Sequence, residues 1–211
     1  MFGTHHLSTF LLSSFLLWIT PGTDTMYILA RSISQGRRAG VVSALGISSG
    51  ILVHTVFAAF GLSAVLATSA WAFTAIKVVG AAYLIYLGIQ AWLSLINTLS
   101  VVAMGSMSGW QIYRQGVVTN VLNPKVALFF LAFLPQFVNP AAQLGPIPFL
   151  LLGILFVTGG TIWCFLLAGF ASLVTAKVRT NKKASLWLKR VTGGAYIGLG
   201  LNLLRSEATS G

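Results

Sequence analysis

Two short stretches hold the residue types that could do chemistry. Thr20-Pro21-Gly22-Thr23-Asp24 and Asn123-Pro124-Lys125 each set a helix-breaking proline beside a charge, inside a long apolar run. Asp24 is the only acidic residue before Glu207. A carboxylate in a hydrophobic run is costly to bury and marks a functional site. Proline lacks the N–H that would pair with a helix carbonyl, and in lipid such bare backbone is tolerated only inside protein or beside a cavity. One acid and one amine at two broken helices suit a zwitterion. Its ammonium would pair with Asp24, and its carboxylate with Lys125 or with N–H groups at a half-helix N-terminus. Pro21, Gly22 and Pro124 would shape the breaks, while Thr20, Thr23, Thr25, Asn120 and Asn123 would supply neutral hydrogen bonds. The alternative is an Asp24–Lys125 ion pair that only ties the two segments together. The two readings are compatible, since a pair that opens for a solute also gates.

The surrounding elements must be membrane spans. Of 211 residues, 56% are hydrophobic and 7% charged, against about 25% charged in a soluble domain. The mean hydropathy is +0.89. This is an all-α integral membrane protein, and lipid is one of its partners. The net charge of +11 could suggest nucleic acid, but the charges lie at the ends of apolar spans, which argues against it. The single cysteine, Cys164, excludes a disulfide framework and a Cys-based metal site, and no cofactor is expected. The first apolar run lacks a basic leader and continues into the Pro-Gly break, so it is expected to be a retained span.

A span needs about 20 mostly apolar residues. Six segments qualify, at approximately 7–30, 39–66, 71–96, 115–138, 147–174 and 187–205. Loop 31–38 carries Arg31, Arg37 and Arg38, loop 97–114 carries Arg114, and 177–190 carries six more basic residues; together these are ten of the thirteen. Basic loops face the cytoplasm, so both termini are expected on the outer side. An internal repeat aligns Gly80-Ala-Ala-Tyr with Gly193-Gly-Ala-Tyr, and Pro21 with Pro124. The chain is thus expected to be one membrane domain over 1–211. Repeat one covers 7–96, the cytoplasmic loop 97–114 and repeat two 115–205. Three spans per repeat invert one copy relative to the other, as in many secondary transporters. Measured from Arg31 and Arg114, both breaks fall roughly 15 Å from the cytoplasmic face.

Small residues would pack the helices. Gly46-x3-Gly50 is a close-approach pattern, with His54 next along the same stripe. Exposed, the stripe would permit a homodimer. His54, titrating near neutrality, is a candidate for proton coupling or for a hydrogen bond in a packed interface. No P-loop and no H-E-x-x-H occur. Gly46-Ile47-Ser48-Ser49-Gly50 matches G-x-S-x-G literally but lies inside a span rather than on a strand–turn–helix. Ser48 and His54 would also sit on different faces, about 9 Å apart in height, so no enzyme is expected.

Several ordered blocks carry a family resemblance. They are Pro21-Gly22-Thr23-Asp24-Thr25, the run 30–40, Gly46-x3-Gly50-x3-His54, Gly80-Ala-Ala-Tyr83-Leu-Ile-Tyr-Leu-Gly88, and Asn123-Pro124-Lys125 continuing to Phe137. With these the chain resembles the LysE/RhtB family of amino-acid exporters over essentially its whole length. The resemblance implies efflux of amino acids or their relatives across a bacterial inner membrane, driven by protons. Thr23 stands where that family usually has a second proline, and loop 97–113 is uncharged where relatives often carry charge. Export of another small solute or ion, or a membrane scaffold without transport, are the alternatives. A solvent-accessible pocket at mid-membrane discriminates between transport and scaffold.

Overall fold

Pro21 and Pro124 each follow the end of a helix. The computed structural model describes residues 3–93 and 105–171, with Arg190, Gly194, Ile197, Gly198 and Leu201. Helix α1 (Leu7–Ile19) stops before Pro21, and α2 (Thr23–Gln35) starts after Gly22. Helix α3 (Arg37–Phe57) widens into a π-turn at Ala58–Leu62 and continues as α4 (Ser63–Thr68), followed by α5 (Ala70–Leu93). Helix α6 (Gly109–Val121) ends before Asn123, and α7 (Pro124–Leu128) resumes, running on through π and 3-10 turns to Phe137. Helix α8 (Ile147–Gly169) completes the described part.

Two of the described helical stretches are long and apolar enough to cross a bilayer, Arg37–Val65 and Ile147–Gly169. The α6 and α7–Phe137 pair, bent by 46° at its break, makes a third if it is one span. Neither half of expected span one is long enough alone. Expected span six lies outside the described residues apart from five helical positions.

Three expectations are corrected. Residues 31–38 are not a loop: only Gly36 separates α2 from α3, at φ 84, a backbone angle that glycine adopts without strain. Arg31 therefore sits within α2 and is 3% exposed. Span four starts at Gly109 rather than 115, because Ser108 and Gln111 form a capping box. Ser108 N donates to Gln111 Oε1 at 2.9 Å and Gln111 N to Ser108 Oγ at 3.3 Å. Arg114 is thus an exposed helical residue, not a loop residue. Gly46-x3-Gly50 is not an exposed stripe. A Cβ on Gly46 would stand 2.3 Å from Tyr113 O, and one on Gly50 2.6 Å from Asn120 Cβ. The stripe is occupied by α6 of the same chain, so it offers no face to a second copy.

Helix α3 is the hub, packing most extensively on α6, then on α8 and α2. The broken stretches α1–α2 and α6–α7 run antiparallel. At one end, His5 N donates to Phe137 O at 3.0 Å and Asn139 N to Gly3 O at 2.8 Å. At the other, Tyr27 Oη donates to Ile112 O at 2.7 Å and Arg31 Nη1 to Gly105 O at 3.0 Å. An aromatic cluster fills the first end. Phe129 meets Phe10 at 6.1 Å, Phe133 at 5.0 Å and Phe156 at 4.8 Å between ring centroids, within the range of favourable ring pairs.

Candidate functional site

The site is built from the two carbonyls that the prolines leave bare. In an unbroken helix Leu17 O would accept from residue 21 and Asn120 O from residue 124, but proline has no N–H to give. Lys125 Nζ takes the first vacancy, donating to Leu17 O at 2.6 Å and to Thr20 O at 2.8 Å. At the second, His54 Nε2 lies 3.1 Å from Asn120 O, and Asn123 N donates to the same carbonyl at 2.9 Å. Each break is thus completed by a residue from another helix.

Asp24 and Lys125 do not pair directly. Asn120 Nδ2 donates to Asp24 Oδ2 at 2.7 Å, and Asn120 is fully buried at 0% exposure. It is the centre of the cluster, holding Asp24 through its side chain and His54 through its carbonyl. Each charge also rests at a complementary helix end: Asp24 in the first turn of α2, and Lys125 on the terminal carbonyls of α1. Asn123 caps α7, its Oδ1 accepting from Lys125 N at 3.0 Å. His54 stacks on Phe130 at 5.8 Å.

A cavity of about 40 Å³ lies between the breaks, lined by Gly22, Asp24, Thr25, Asn123 and Lys125 and walled by apolar residues of α1, α3 and α8. Gly22 lies against the lysine: a Cβ there would sit in ordinary contact with it, 3.5 Å from Lys125 Cδ. The structure therefore brings together Asp24, Lys125, Gly22, Asn120, Asn123 and His54. Pro21 and Pro124 flank them on exposed backbone, and Thr23 is exposed and absent from the cavity wall. Gly80 falls in α5. Gly193 lies outside the described residues. Ser48 donates to Ala44 O at 2.9 Å and accepts from Thr161 at 2.8 Å, so it does not converge with His54. Sequence reasoning did not single out Leu17, Trp18, Trp163 and Cys164, which also line the cavity. Leu17 was findable as the residue one turn before Pro21; Trp18 follows it on α1 with no mark of its own, and Trp163 and Cys164 are placed by α8.

The sequence profile described as "LysE type translocator" matches residues 15–207. This chain belongs to the LysE translocator family. Its LysE relatives include a Vibrio cholerae protein named "Uncharacterized membrane protein", 31% identical over 97% of this chain and 98% of that one. A Salmonella typhimurium relative named "Homoserine/homoserine lactone efflux protein" is 32% identical over 85% of this chain and 82% of its own. The "Leucine efflux protein" of an Enterobacter species is 26% identical over 96% of both. No solved structure matches this LysE protein. The family makes the chain a membrane translocator.

Proposed function

We propose that this translocator exports amino acids or close derivatives across the bacterial inner membrane, coupled to protons, and that its six spans form two inverted three-helix repeats. One observation carries the reading. Two opposite charges line one cavity between two helix breaks, yet each is held by neutral groups instead of by the other. A strut would close the pair; a binding site keeps both ends open to a zwitterion. The solute's ammonium goes to Asp24. Its carboxylate draws Lys125 off the carbonyls of Leu17 and Thr20. His54, one residue removed from Asp24 through Asn120, is the proton-coupling candidate.

The halves beside the breaks support the inverted repeat. Helices α1 and α6, each preceding its break, both have 13 residues, about 20 Å each at helical rise, and the two broken stretches run antiparallel. The names of the homoserine and leucine efflux relatives support the substrate class. At about 40 Å³ the cavity takes roughly two or three waters, so this is a closed conformation and transport requires the repeats to part.

The test is efflux from proteoliposomes preloaded with each of a panel of labelled amino acids, with and without a proton gradient. Release of one or more solutes, accelerated by the gradient, is expected. Release of none by inserted protein rejects the reading.

A further inference from the structure

Two tryptophans without a role so far face the same cavity. Trp18 lies in the last turn of α1 and Trp163 within α8, and both line the cavity with Asp24 and Lys125. The Trp18 ring fits where α8 has no side chains. A Cβ on Gly159 would stand 2.1 Å from its ring, and one on Gly160 3.2 Å from its Nε1. Phe156 steadies it at 5.4 Å between centroids. Both indole Nε1 atoms are buried without a hydrogen-bond partner, and so is Asp24 Oδ1. Indole nitrogen is a donor only, and a buried one ordinarily finds an acceptor. Two bare donors and one bare carboxylate oxygen around one cavity complement a molecule that carries both an anionic acceptor and a cationic donor.

We propose that Trp18 and Trp163 recognise the substrate carboxylate, their indole N–H groups donating to it beside Lys125, while Asp24 Oδ1 accepts from the substrate ammonium. The assignment rests on the export reading. It makes a free carboxylate the favoured anionic end at this site, and it gives α1 and α8 a direct share in substrate selection. Asp24 and Lys125 set the charges of the two ends. The indoles set the planar, two-oxygen geometry that separates a carboxylate from an alcohol or a lactone.

The test compares wild type, Trp18→Phe, Trp163→Phe and the double variant in proteoliposomes. Leucine and homoserine serve as substrates, with leucinol and homoserine lactone as competitors that lack the carboxylate. At position 18 phenylalanine keeps one aromatic ring beside Gly159 and Gly160 but removes the second ring together with the N–H. Thermal stability is therefore measured on each variant, and the carboxylate-free competitors separate the lost N–H from lost packing. Each substitution is expected to raise half-saturation about tenfold or more, the usual worth of a hydrogen bond to a charged group, with the maximal rate changed far less. In wild type, leucinol and homoserine lactone are expected to compete about tenfold or more weakly than their parents, and in the double variant that gap is expected to narrow without closing, because Lys125 still favours the carboxylate. Unchanged half-saturation in the double variant overturns the assignment. So does equal competition by the carboxylate-free compounds in wild type, a measurement that needs no variant to fold. Wild type that releases no amino acid of the panel removes the export reading together with this one, whereas normal export with indifferent indoles removes the indoles alone.

Discussion

Proline acts twice at each break: it stops a helix, and it leaves a carbonyl that a side chain from elsewhere must serve. Lys125 serves Leu17 O and His54 faces Asn120 O, so the residues most exposed to a change of substrate are also those that hold the breaks. Asp24→Asn is expected to insert normally, since a central Asp costs about 2.5–3.5 kcal/mol on insertion scales, and to lose export. Lys125→Gln is expected to lose export too. The two charges share one cavity without a direct contact, so their effects on thermal stability in detergent are expected to couple by about 0.5–3 kcal/mol, while the double variant stays without export. Recovery of both stability and export in that double variant would reduce the pair to a strut. His54→Gln preserves a donor to Asn120 O while removing the titratable ring. Counterflow exchange should survive and gradient-driven accumulation should vanish; intact accumulation excludes His54 from proton coupling.

Among the elements, α3 and α6 determine how tightly the site is held. Gly46 and Gly50 let α6 approach until its Tyr113 carbonyl and Asn120 side chain occupy the space of a missing methyl. Asn120 then carries that contact to Asp24. Gly50→Ala must push Asn120 away, an overpacking cost of roughly 1–3 kcal/mol. A lower melting temperature is expected, together with reduced export, because Asp24 loses its 2.7 Å partner; thermal shift and efflux on the same preparation check both. Farther along the pair, buried Arg31 donates to Gln35 at 2.8 Å, to Gly105 O at 3.0 Å and to Gln115 at 2.9 Å, with Met107 Sδ also in contact. It ties the start of α6 to the end of α2 without a carboxylate.

For the molecule as a whole, the antiparallel course of the two broken stretches has a consequence for topology. Residues near His5 and Val138 lie at one end, and Gly36 with Gly105–Ser108 at the other. By the bias of basic residues toward the cytoplasmic side, the second end is expected to face the cytoplasm. With Cys164 replaced by alanine, His5→Cys should label from outside intact cells and Arg38→Cys only after permeabilisation, both positions being exposed. The reverse pattern would invert the orientation, and with it the direction assigned to transport.

Much was legible in the chain alone, because the governing physics is local. A composition with 7% charged residues cannot coat a water-soluble surface, and a proline breaks its own helix whatever surrounds it, so the membrane class, the two breaks and the charges beside them follow from residue identity. The same blocks carried the family. What fills the breaks was not legible, because it depends on partners 66 to 108 positions away. Basic residues were counted as loop by composition, yet Arg31 is buried because Gly36 alone turns α2 into α3 and folds the arginine onto the start of α6. The glycine stripe marked a close approach but not its partner, and packing inside one chain claimed it before a second copy could. The indoles of Trp18 and Trp163 look in sequence like ordinary span residues. Only the meeting of α1 with α8, where glycines leave space for the Trp18 ring, brings two indoles with unpartnered N–H groups to the wall of the cavity that Asp24 and Lys125 also line.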